Sequence, residues 1–301
     1  MTGELIQPDT VRCGRRFAPN GGQVTGASLT AMAGERYTHG HHEAVLSSHR
    51  TRTAENSAAY LVPHLRAGQR LLDVGCGPGT ITADLAALVT PGEVVALERE
   101  ASILDEARAV AAERGLDNVT PMVGDVYHLD FPHDAFDVVH AHQVLQHLAD
   151  PVAALVEMAR VTRPGGTLAV RDADYSAMTW YPEEPRLDRW NEIYHAAARN
   201  NGAEPDAGRR LLAWANQAGL RDIRSSATVW CYADDQTRAW WSDLWARRMT
   251  ESPVAQQAVE QGLATADELA DVAEGWRAWA ASGPDAWFTV LNGEILAAPP
   301  A

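Results

Sequence analysis

A run of ten residues, 71–80, constrains this chain more than any other part of its sequence. The first half of the run is apolar, as in a strand of a parallel sheet that is covered on both faces. Gly75, Gly77 and Gly79 follow at alternate positions, and they leave the backbone free to bend and to lie against a ligand. A helix is predicted to begin at Thr80, with its N-terminus facing that ligand. The run therefore predicts a strand, a glycine turn and a helix around a ligand site.

Asp73 narrows the choice of ligand. The dinucleotide-binding pattern has a third glycine three places after the second, and Thr80 occupies that place here. The Asp73 carboxylate lies beside the turn, where it would repel a pyrophosphate and attract an ammonium group. S-adenosylmethionine carries an ammonium and a sulfonium and has no phosphate. The sequence therefore favours this cofactor over a nicotinamide dinucleotide, and it disfavours a dehydrogenase.

Composition excludes several other classes of protein. The chain has 301 residues, enough for a large α/β domain with an added lid. Its formal net charge of -15 leaves no basic face for nucleic acid. Cys13, Cys76 and Cys231 are far apart, which favours free thiols in a reducing compartment. The sequence has neither an export signal nor a long apolar run, so we expect a cytoplasmic protein that does not bind membranes.

Alternating elements follow along the first half of the chain. After a predicted helix over 43–65 with a break at Pro63, strands are predicted at 71–74, 93–98, 119–123, 136–141 and 167–172, with helices at 80–86, 103–114 and 152–161. This alternation predicts a doubly wound α/β fold with a parallel sheet. Glu98 ends the second strand 23 residues after Gly75, near the separation (~20) at which an acid binds a ribose diol in such folds.

The order of these motifs resembles the class I S-adenosylmethionine-dependent methyltransferases, over residues 70–172. Asp-Val-Gly-Cys-Gly-Pro-Gly at 73–79 and Arg-Pro-Gly-Gly at 163–166 look most like the ubiquinone/menaquinone C-methyltransferase group. The resemblance implies a Rossmann-like, mostly parallel sheet that ends in antiparallel strands. It also implies S-adenosylmethionine as cofactor and a small-molecule acceptor. Residues 142–151 lack the Asn/Asp-Pro-Pro-aromatic signature of enzymes that methylate amino groups of bases, which again argues against nucleic acid.

The predicted cofactor contacts follow from the motifs and from the resemblance. In the resembled family, an N-terminal aromatic closes over the cofactor, and an acid after the third strand binds the adenine amino group while its neighbour packs on the ring. The predicted cofactor-binding residues are Tyr37, Asp73, Gly75, Cys76, Gly77, Glu98, Arg99, Asp125, Val126 and His142.

A base is needed if the acceptor must lose a proton. We predict His147 for this role, with His142 as a second candidate, because a catalytic histidine can follow the fourth strand in the resembled O-methyltransferases. His140, Asp172 and Asp174 lie at the same predicted sheet edge. The pairs 140/142 and 172/174 could instead converge on a metal ion, but we expect them to bound the cofactor and the acceptor, and we predict no metal.

The second half of the chain differs from the first in composition, since all ten tryptophans lie from Trp180 onward. Helices are predicted around 187–199, 207–218, 237–248 and 265–281, and strands at 223–230 and 287–295. Roughly fifty residues therefore separate the last two strands, too many for a structureless connection, and they predict a helical, Trp-rich lid. Trp240, Trp241 and Trp245 lie close together on one helix. We expect two or three of them to line a pocket for a flat, apolar acceptor.

The predicted organisation has six parts: an N-terminal arm at 1–36, a cofactor-binding core at 37–173, an inserted lid segment at 174–206, a continuation of the core at 207–232, a helical lid insertion at 233–283, and a last strand and tail at 284–301. The predicted function is methyl transfer from S-adenosylmethionine to carbon or oxygen of a small metabolite. The alternative is a protein that binds this cofactor for a non-methylating reaction or for sensing. A homodimer is left open.

Overall fold

The computed structural model describes residues 48–301, so Tyr37 and the predicted arm lie outside the described residues. The strands in this range are β1 Leu71–Val74, β2 Val94–Glu98, β3 Val119–Val123, β4 Phe136–His142, β5 Thr162–Ala173, β6 Thr179–Tyr181, β7 Arg221–Tyr232 and β8 Trp287–Ala298. The α-helices are α1 Ala54–Ser57, α2 Thr80–Val89, α3 Ala101–Glu113, α4 Pro151–Val161, α5 Pro185–Asn200, α6 Leu211–Gln217, α7 Asp235–Glu251, α8 Pro253–Glu260 and α9 Ala266–Ala280.

All the strands join one sheet, in the order β3-β2-β1-β4-β5-β8. Its first five strands are parallel. β8 runs antiparallel to β5, and β6 and β7 both pair antiparallel with β8. This arrangement confirms the predicted α/β fold with a mostly parallel sheet and antiparallel C-terminal strands. β6 was not predicted, because three residues are too few to give a periodic signal.

Helices cover both faces of the parallel part, which explains why its strands are apolar throughout. Leu71 of β1 packs on one face in a buried cluster with Leu85 of α2. Its neighbour Leu72 points to the opposite face, in a cluster with Leu155 and Met158 of α4. All four residues of β1 are buried. The sheet is therefore doubly wound, and the carboxyl ends of β1, β2 and β4 meet at one edge.

The Trp-rich helices form a second core beside the antiparallel strands. Trp190 of α5, Trp245 of α7 and Trp276 of α9 are fully buried. The centroid of the Trp190 ring lies 4.6 Å from that of Trp245 and 4.8 Å from that of Trp276, and both ring pairs are edge to face. Edge-to-face pairs add to the free energy gained by burying the rings. The helices α7, α8 and α9 lie in sequence between β7 and β8, where the lid insertion was predicted.

The segment before β1 differs in part from the predicted helix over 43–65, whose predicted break at Pro63 agrees with the structure. In its described part, a short helix begins after Thr53, whose side chain accepts a hydrogen bond from Asn56 while Asn56 accepts one from the Thr53 backbone. A 3-10 turn follows at Val62–His64. This reciprocal capping box starts a new helix, and Pro63 lacks the N–H that a longer helix needs. Within 48–301, no helix has the length and apolar character required to cross a membrane.

Candidate functional site

A cavity of about 350 Å³ lies at the carboxyl ends of β1, β2 and β4. Most of the residues predicted to contact the cofactor line this cavity. They are Asp73, Gly75, Cys76, Gly77, Glu98, Arg99 and His142. The sequence brings them together because parallel strands end at the same edge, and each strand carries its polar residue at that end. We refer to this cavity as the first cavity.

The glycine turn has the backbone that the sequence predicted. Gly75, Gly77 and Gly79 all have positive φ angles, of 66°, 54° and 80°, which L residues with side chains rarely adopt. A Cβ at Gly75 would also lie 2.5 Å from a methyl carbon of Val144. Between these glycines, Cys76 is buried, and burial followed by the charge of Asp73 raises the pKa of its thiol. The turn therefore presents backbone and a neutral thiol to the cavity.

The carboxylate of Asp73 is held from two sides. Nδ1 of His140 lies 2.7 Å from its Oδ1, and the hydroxyl of Thr82 donates to its Oδ2 at 2.5 Å. All three side chains are buried. The Asp73 carboxylate thus has a fixed orientation in the cavity wall, and its negative charge lies where the sequence predicted an ammonium group.

Glu98 reaches across from the end of β2 to the glycine turn. Its Oε2 accepts a hydrogen bond from the Gly77 backbone N–H at 3.1 Å, and its Oε1 accepts from the backbone N–H groups of Arg99 at 2.8 Å and Glu100 at 3.4 Å. A carboxylate has about four lone-pair directions, so these three bonds leave acceptor capacity for a hydroxyl group, on the Oε2 side. The arrangement suits the ribose contact predicted for Glu98.

Asp125 and Val126 do not line the first cavity. Val126 is buried among Leu72, Val95 and the other apolar residues on the α4 face of the sheet. The Asp125 carboxylate accepts a hydrogen bond from the backbone N–H of Tyr127 at 3.0 Å and so shapes the turn after β3. The predicted contacts of these two residues with an adenine ring stay predictions.

His142 lies at the end of β4 with its ring fully inside the protein. Neither ring nitrogen has a hydrogen-bond partner within residues 48–301, and the ring lies 5.9 Å from that of Trp230. Burial, with a further contribution from Arg52, lowers the pKa of His142 well below its ordinary value. The imidazole is therefore neutral, and it offers one N–H donor and one acceptor nitrogen to the first cavity.

A second cavity of about 620 Å³ lies next to the first. Aromatic side chains from two parts of the chain form much of its wall: Tyr175, Trp230, Tyr232, Trp240 and Trp241. The Tyr232 and Trp241 rings are stacked, with centroids 4.3 Å apart and planes 12° from parallel. Stacked, flat walls of this size suit a flat ligand.

The two cavities share a wall. Four residues line both of them: His49, Arg52, Gln143 and His147. Arg52 donates to Oε1 of Gln143 at 2.6 Å, and Nε2 of Gln143 donates to Asn292 of β8 at 3.2 Å. Gln143 has a φ of 53°, a strained conformation for a residue other than glycine, and such strain is common at functional sites.

His147 lies in the shared wall, directly after the fourth strand as predicted. Its Nε2 lies 3.0 Å from the side-chain nitrogen of Gln146. Burial, and secondarily the charge of Arg52, lowers the pKa of His147 to about 3. The ring is thus neutral at physiological pH, and its Nε2 is the nitrogen that accepts, from the Gln146 amide. A group with so low a pKa is also a weak base. Its catalytic role stays a prediction.

The four residues considered for a metal site do not converge. Asp174 forms an ion pair with Arg209 at 2.5 Å, and Oδ1 of Asp172 accepts from the Gln146 backbone at 3.1 Å. Burial raises the pKa of Asp172 to about 7. Between residues 48 and 301, no group of three or more His, Cys, Asp or Glu side chains is arranged to hold a metal ion.

The three tryptophans of α7 have two different environments. Trp240 and Trp241 line the second cavity. Trp245, one turn further on, is fully buried between α5 and α9 in the Trp-rich core. The expectation of pocket-lining tryptophans on this helix therefore applies to Trp240 and Trp241, and Trp245 packs in the core. Trp230 of β7 also lines the cavity, which the sequence analysis did not anticipate.

Sequence reasoning missed most of the polar residues in the shared wall. Arg52 and His49 belong to the segment before β1 that was predicted as helical. Arg248, which lines only the second cavity, follows the pocket tryptophans on α7. The positive φ of Gln143 has no signal in the residue type. The one available signal was position, because Gln143 and Gln146 flank the end of β4, next to the histidines that were singled out.

The comparisons with known proteins agree with this architecture. A methyltransferase-domain family model matches residues 65–236. An uncharacterized methyltransferase of Schizosaccharomyces pombe is 38% identical over 86% of this chain and 95% of its own length. The ubiquinone/menaquinone biosynthesis C-methyltransferase of Bdellovibrio bacteriovorus is 39% identical over 35% of this chain and 44% of its own length.

Among solved structures, the YcgJ protein of Bacillus subtilis superimposes with a TM-score of 0.55 at 20% identity, over 82% of this chain and all of that one. At that identity the likeness concerns the fold alone. The family model matches more than half of the chain, and the yeast relative matches nearly all of it. The chain belongs to the methyltransferase-domain family, among the class I S-adenosylmethionine-dependent methyltransferases.

Proposed function

We propose that this enzyme transfers a methyl group from S-adenosylmethionine in the first cavity to carbon or oxygen of a small, flat, largely apolar molecule in the second cavity. The observation that carries the proposal is the shared wall of His49, Arg52, Gln143 and His147. Methyl transfer is an in-line displacement, so donor and acceptor must approach from opposite sides of one carbon. Two adjoining cavities with a common wall meet that requirement.

The cofactor supplies a methyl group on a positively charged sulfur, already activated for displacement. The residues of the first cavity are proposed to hold it by its ribose and by its amino-acid end. Glu98 would accept hydrogen bonds from the ribose hydroxyls, because it faces the cavity beside the Gly77 backbone. Asp73 would attract the ammonium group through its charge, from a carboxylate that His140 and Thr82 orient.

The second cavity is proposed to align the acceptor and to exclude water. Alignment alone can lower the barrier by several kcal/mol, about 7–11 at best. Its aromatic walls favour a flat molecule, and a volume of about 620 Å³ is within the usual range for small-molecule sites. The partial likeness to a quinone C-methyltransferase supports a flat acceptor but reaches only about a third of the chain.

Incubation of the purified protein with methyl-labelled S-adenosylmethionine and a small-molecule extract tests the proposal. We expect mass spectrometry to show one molecule of labelled product for each molecule of S-adenosylhomocysteine formed. The fragments of that product would show whether carbon or oxygen carries the label. A second function, a non-methylating reaction or sensing, would retain cofactor binding. Consumption of an extract component without transfer of label, or binding without S-adenosylhomocysteine formation, would favour that alternative and contradict the proposal.

A further inference from the structure

The second cavity has an uneven distribution of charge. The chain as a whole carries a net charge of -15, yet the part of the cavity wall contributed by residues 48–301 contains two arginines, Arg52 and Arg248, and no aspartate or glutamate. Its other titratable groups are His49, His147, Tyr175, Cys231 and Tyr232. A chain with 40 acids and 25 bases would rarely produce such a wall by chance.

Both arginines are held in place by neighbouring groups. Arg248 of α7 is buried, donates to the Ser48 hydroxyl at 2.6 Å and lies over the Trp245 ring at 4.9 Å. Arg52 donates to Gln143 and lies 5.7 Å from the centre of the Trp230 ring. Their positions are thus set by the fold, and a preorganised cation in a partly enclosed cavity acts more strongly than one in water.

The Tyr232 side chain reports the field inside the cavity. Burial raises the pKa of its hydroxyl well above the ordinary value, and the charges of Arg52, Arg248 and Arg171 act in the opposite direction without cancelling the effect of burial. Arg171 lies behind the wall, 4.6 Å from the centre of the Trp230 ring and paired with Glu294 at 3.2 Å. A ligand hydroxyl beside Tyr232 would experience the same three cations.

We infer that the methyl acceptor binds as an oxyanion, a phenolate, enolate or carboxylate on a flat ring system, with its negative charge held by Arg52 and Arg248. This inference rests on the proposed function and names the substrate class for the same site. It also removes the need for a strong base in the shared wall, where His147 is neutral. An acceptor that binds already ionised needs no proton acceptor at the moment of transfer.

The chemical balance of the step is simple. The acidic proton of the acceptor passes to water on binding. The oxyanion, or the ring carbon conjugated with it, forms the new bond to the methyl carbon as the bond from that carbon to sulfur breaks. Sulfur keeps the electron pair and becomes the neutral thioether of S-adenosylhomocysteine. A ring carbon then loses its proton to water and so restores conjugation.

Matched probes test the inference on the unmodified protein. We would measure by calorimetry the affinities of 2-naphthoate and of its neutral isostere 2-naphthamide, both with S-adenosylhomocysteine bound. We expect 2-naphthoate to bind at least tenfold more tightly, with the preference shrinking as salt is added. Equal affinities, tighter binding of the amide, or no binding of either probe would overturn the inference. Normal affinity for S-adenosylhomocysteine in the same samples would leave the proposed function intact.

Adjacent arginines on α7 provide a matched pair of variants. Arg248→Met removes a cation from the cavity wall, whereas Arg247→Met removes a half-buried one outside the cavity that pairs with Glu251. Arg248→Met should lower the 2-naphthoate preference at least fivefold, and Arg247→Met should leave it unchanged. An equal effect of the two variants would contradict the inference.

A chromogenic phenol gives an optical readout of the same charge. The absorbance of bound 4-nitrophenol reports its ionisation directly, and we expect its pKa to be at least half a unit higher in Arg248→Met than in the unmodified protein. An equal or lower pKa in the variant would contradict an oxyanion site.

Discussion

The His140 and Asp73 side chains meet across neighbouring parallel strands, with Nδ1 of His140 2.7 Å from Oδ1 of Asp73 and both groups buried. The two residues are register partners of β1 and β4. With Thr82 on the other oxygen, the pair fixes the carboxylate beside the glycine turn. The carboxylate that we propose to attract the cofactor's ammonium group is thus held in place by the sheet itself.

Replacing Asp73 should weaken cofactor binding. Asp73→Asn keeps the shape of the side chain and removes its charge, so the affinity for S-adenosylmethionine should fall at least tenfold, or about 1.4 kcal/mol. Isothermal titration calorimetry measures this loss. The exposed acid Asp105, which pairs with Arg108 on α3, provides the control variant Asp105→Asn. Wild-type affinity in Asp73→Asn would show that the charge plays no part in binding.

Glu98 should recognise the ribose hydroxyls. A hydrogen bond to a charged group contributes about 1.5–3 kcal/mol, so Glu98→Gln should weaken S-adenosylhomocysteine binding by about tenfold or more. The same variant should have little effect on the affinity for the 2′-deoxy analogue of S-adenosylhomocysteine, because that analogue lacks one of the hydroxyl groups that Glu98 would bind. Glu93→Gln is the control, since Glu93 lies at the opposite end of β2 and pairs with Arg70. Equal losses for both ligands would exclude the ribose contact.

Substitutions of the α7 tryptophans should have different effects, on stability for Trp245 and on ligand binding for Trp240. Trp245 is fully buried, so Trp245→Ala should lower the free energy of unfolding by about 3–5 kcal/mol. Trp240 lies in the cavity wall and is only half-buried, so Trp240→Ala should destabilise the protein less and weaken binding of a flat probe such as 2-naphthol. Urea unfolding and calorimetry measure the two effects. The assignment fails if Trp240→Ala leaves probe affinity unchanged.

His147 should make the protein sensitive to acid. Its pKa is about 3 in the folded protein and near the ordinary value of about 6.5 in the unfolded chain. As the pH falls from 6.5 towards 3, the unfolded chain takes up a proton that the folded protein does not, so stability is lost over this window. The loss should be somewhat below about 1.4 kcal/mol per pH unit, because the ring faces a cavity.

The variant His147→Gln should remove this part of the acid sensitivity. Urea unfolding at pH 7 and pH 5 measures it as the difference in stability between the two pH values. His133→Gln, at an exposed position, serves as the control and should behave like the wild type. If His147→Gln loses as much stability on acidification as the wild type does, the assignment of His147 as a buried, neutral histidine is wrong.

The sequence predicted the local parts of the site better than its long-range contacts. The strand, turn and helix around Gly75 were predictable because glycine conformation and apolar runs are local properties. Glu98 was predictable because parallel strands share an edge. The pairing of Asp73 with His140, 67 residues later, depends on strand register, which a single sequence does not reveal.

The acceptor cavity was the least predictable part. Its wall joins Arg52, Gln143, Trp230 and Arg248, which come from four separate parts of the chain. A count of tryptophans indicated an aromatic lid, but which ring faces a cavity depends on how the helices pack. Trp245 and Trp241 are one turn apart on α7, and only Trp241 lines the cavity. The charge of the wall follows from the same packing.

In the proposed function, the cofactor in the first cavity meets the acceptor in the second cavity beside His49, Arg52, Gln143 and His147, which line both cavities. A crystal structure with S-adenosylhomocysteine bound tests this arrangement most directly. We predict ribose hydroxyls within hydrogen-bond distance of Glu98 and the sulfur beside these four residues, with an open line from sulfur into the second cavity. A sulfur atom that faces bulk solvent, or a cofactor bound outside the first cavity, would contradict it.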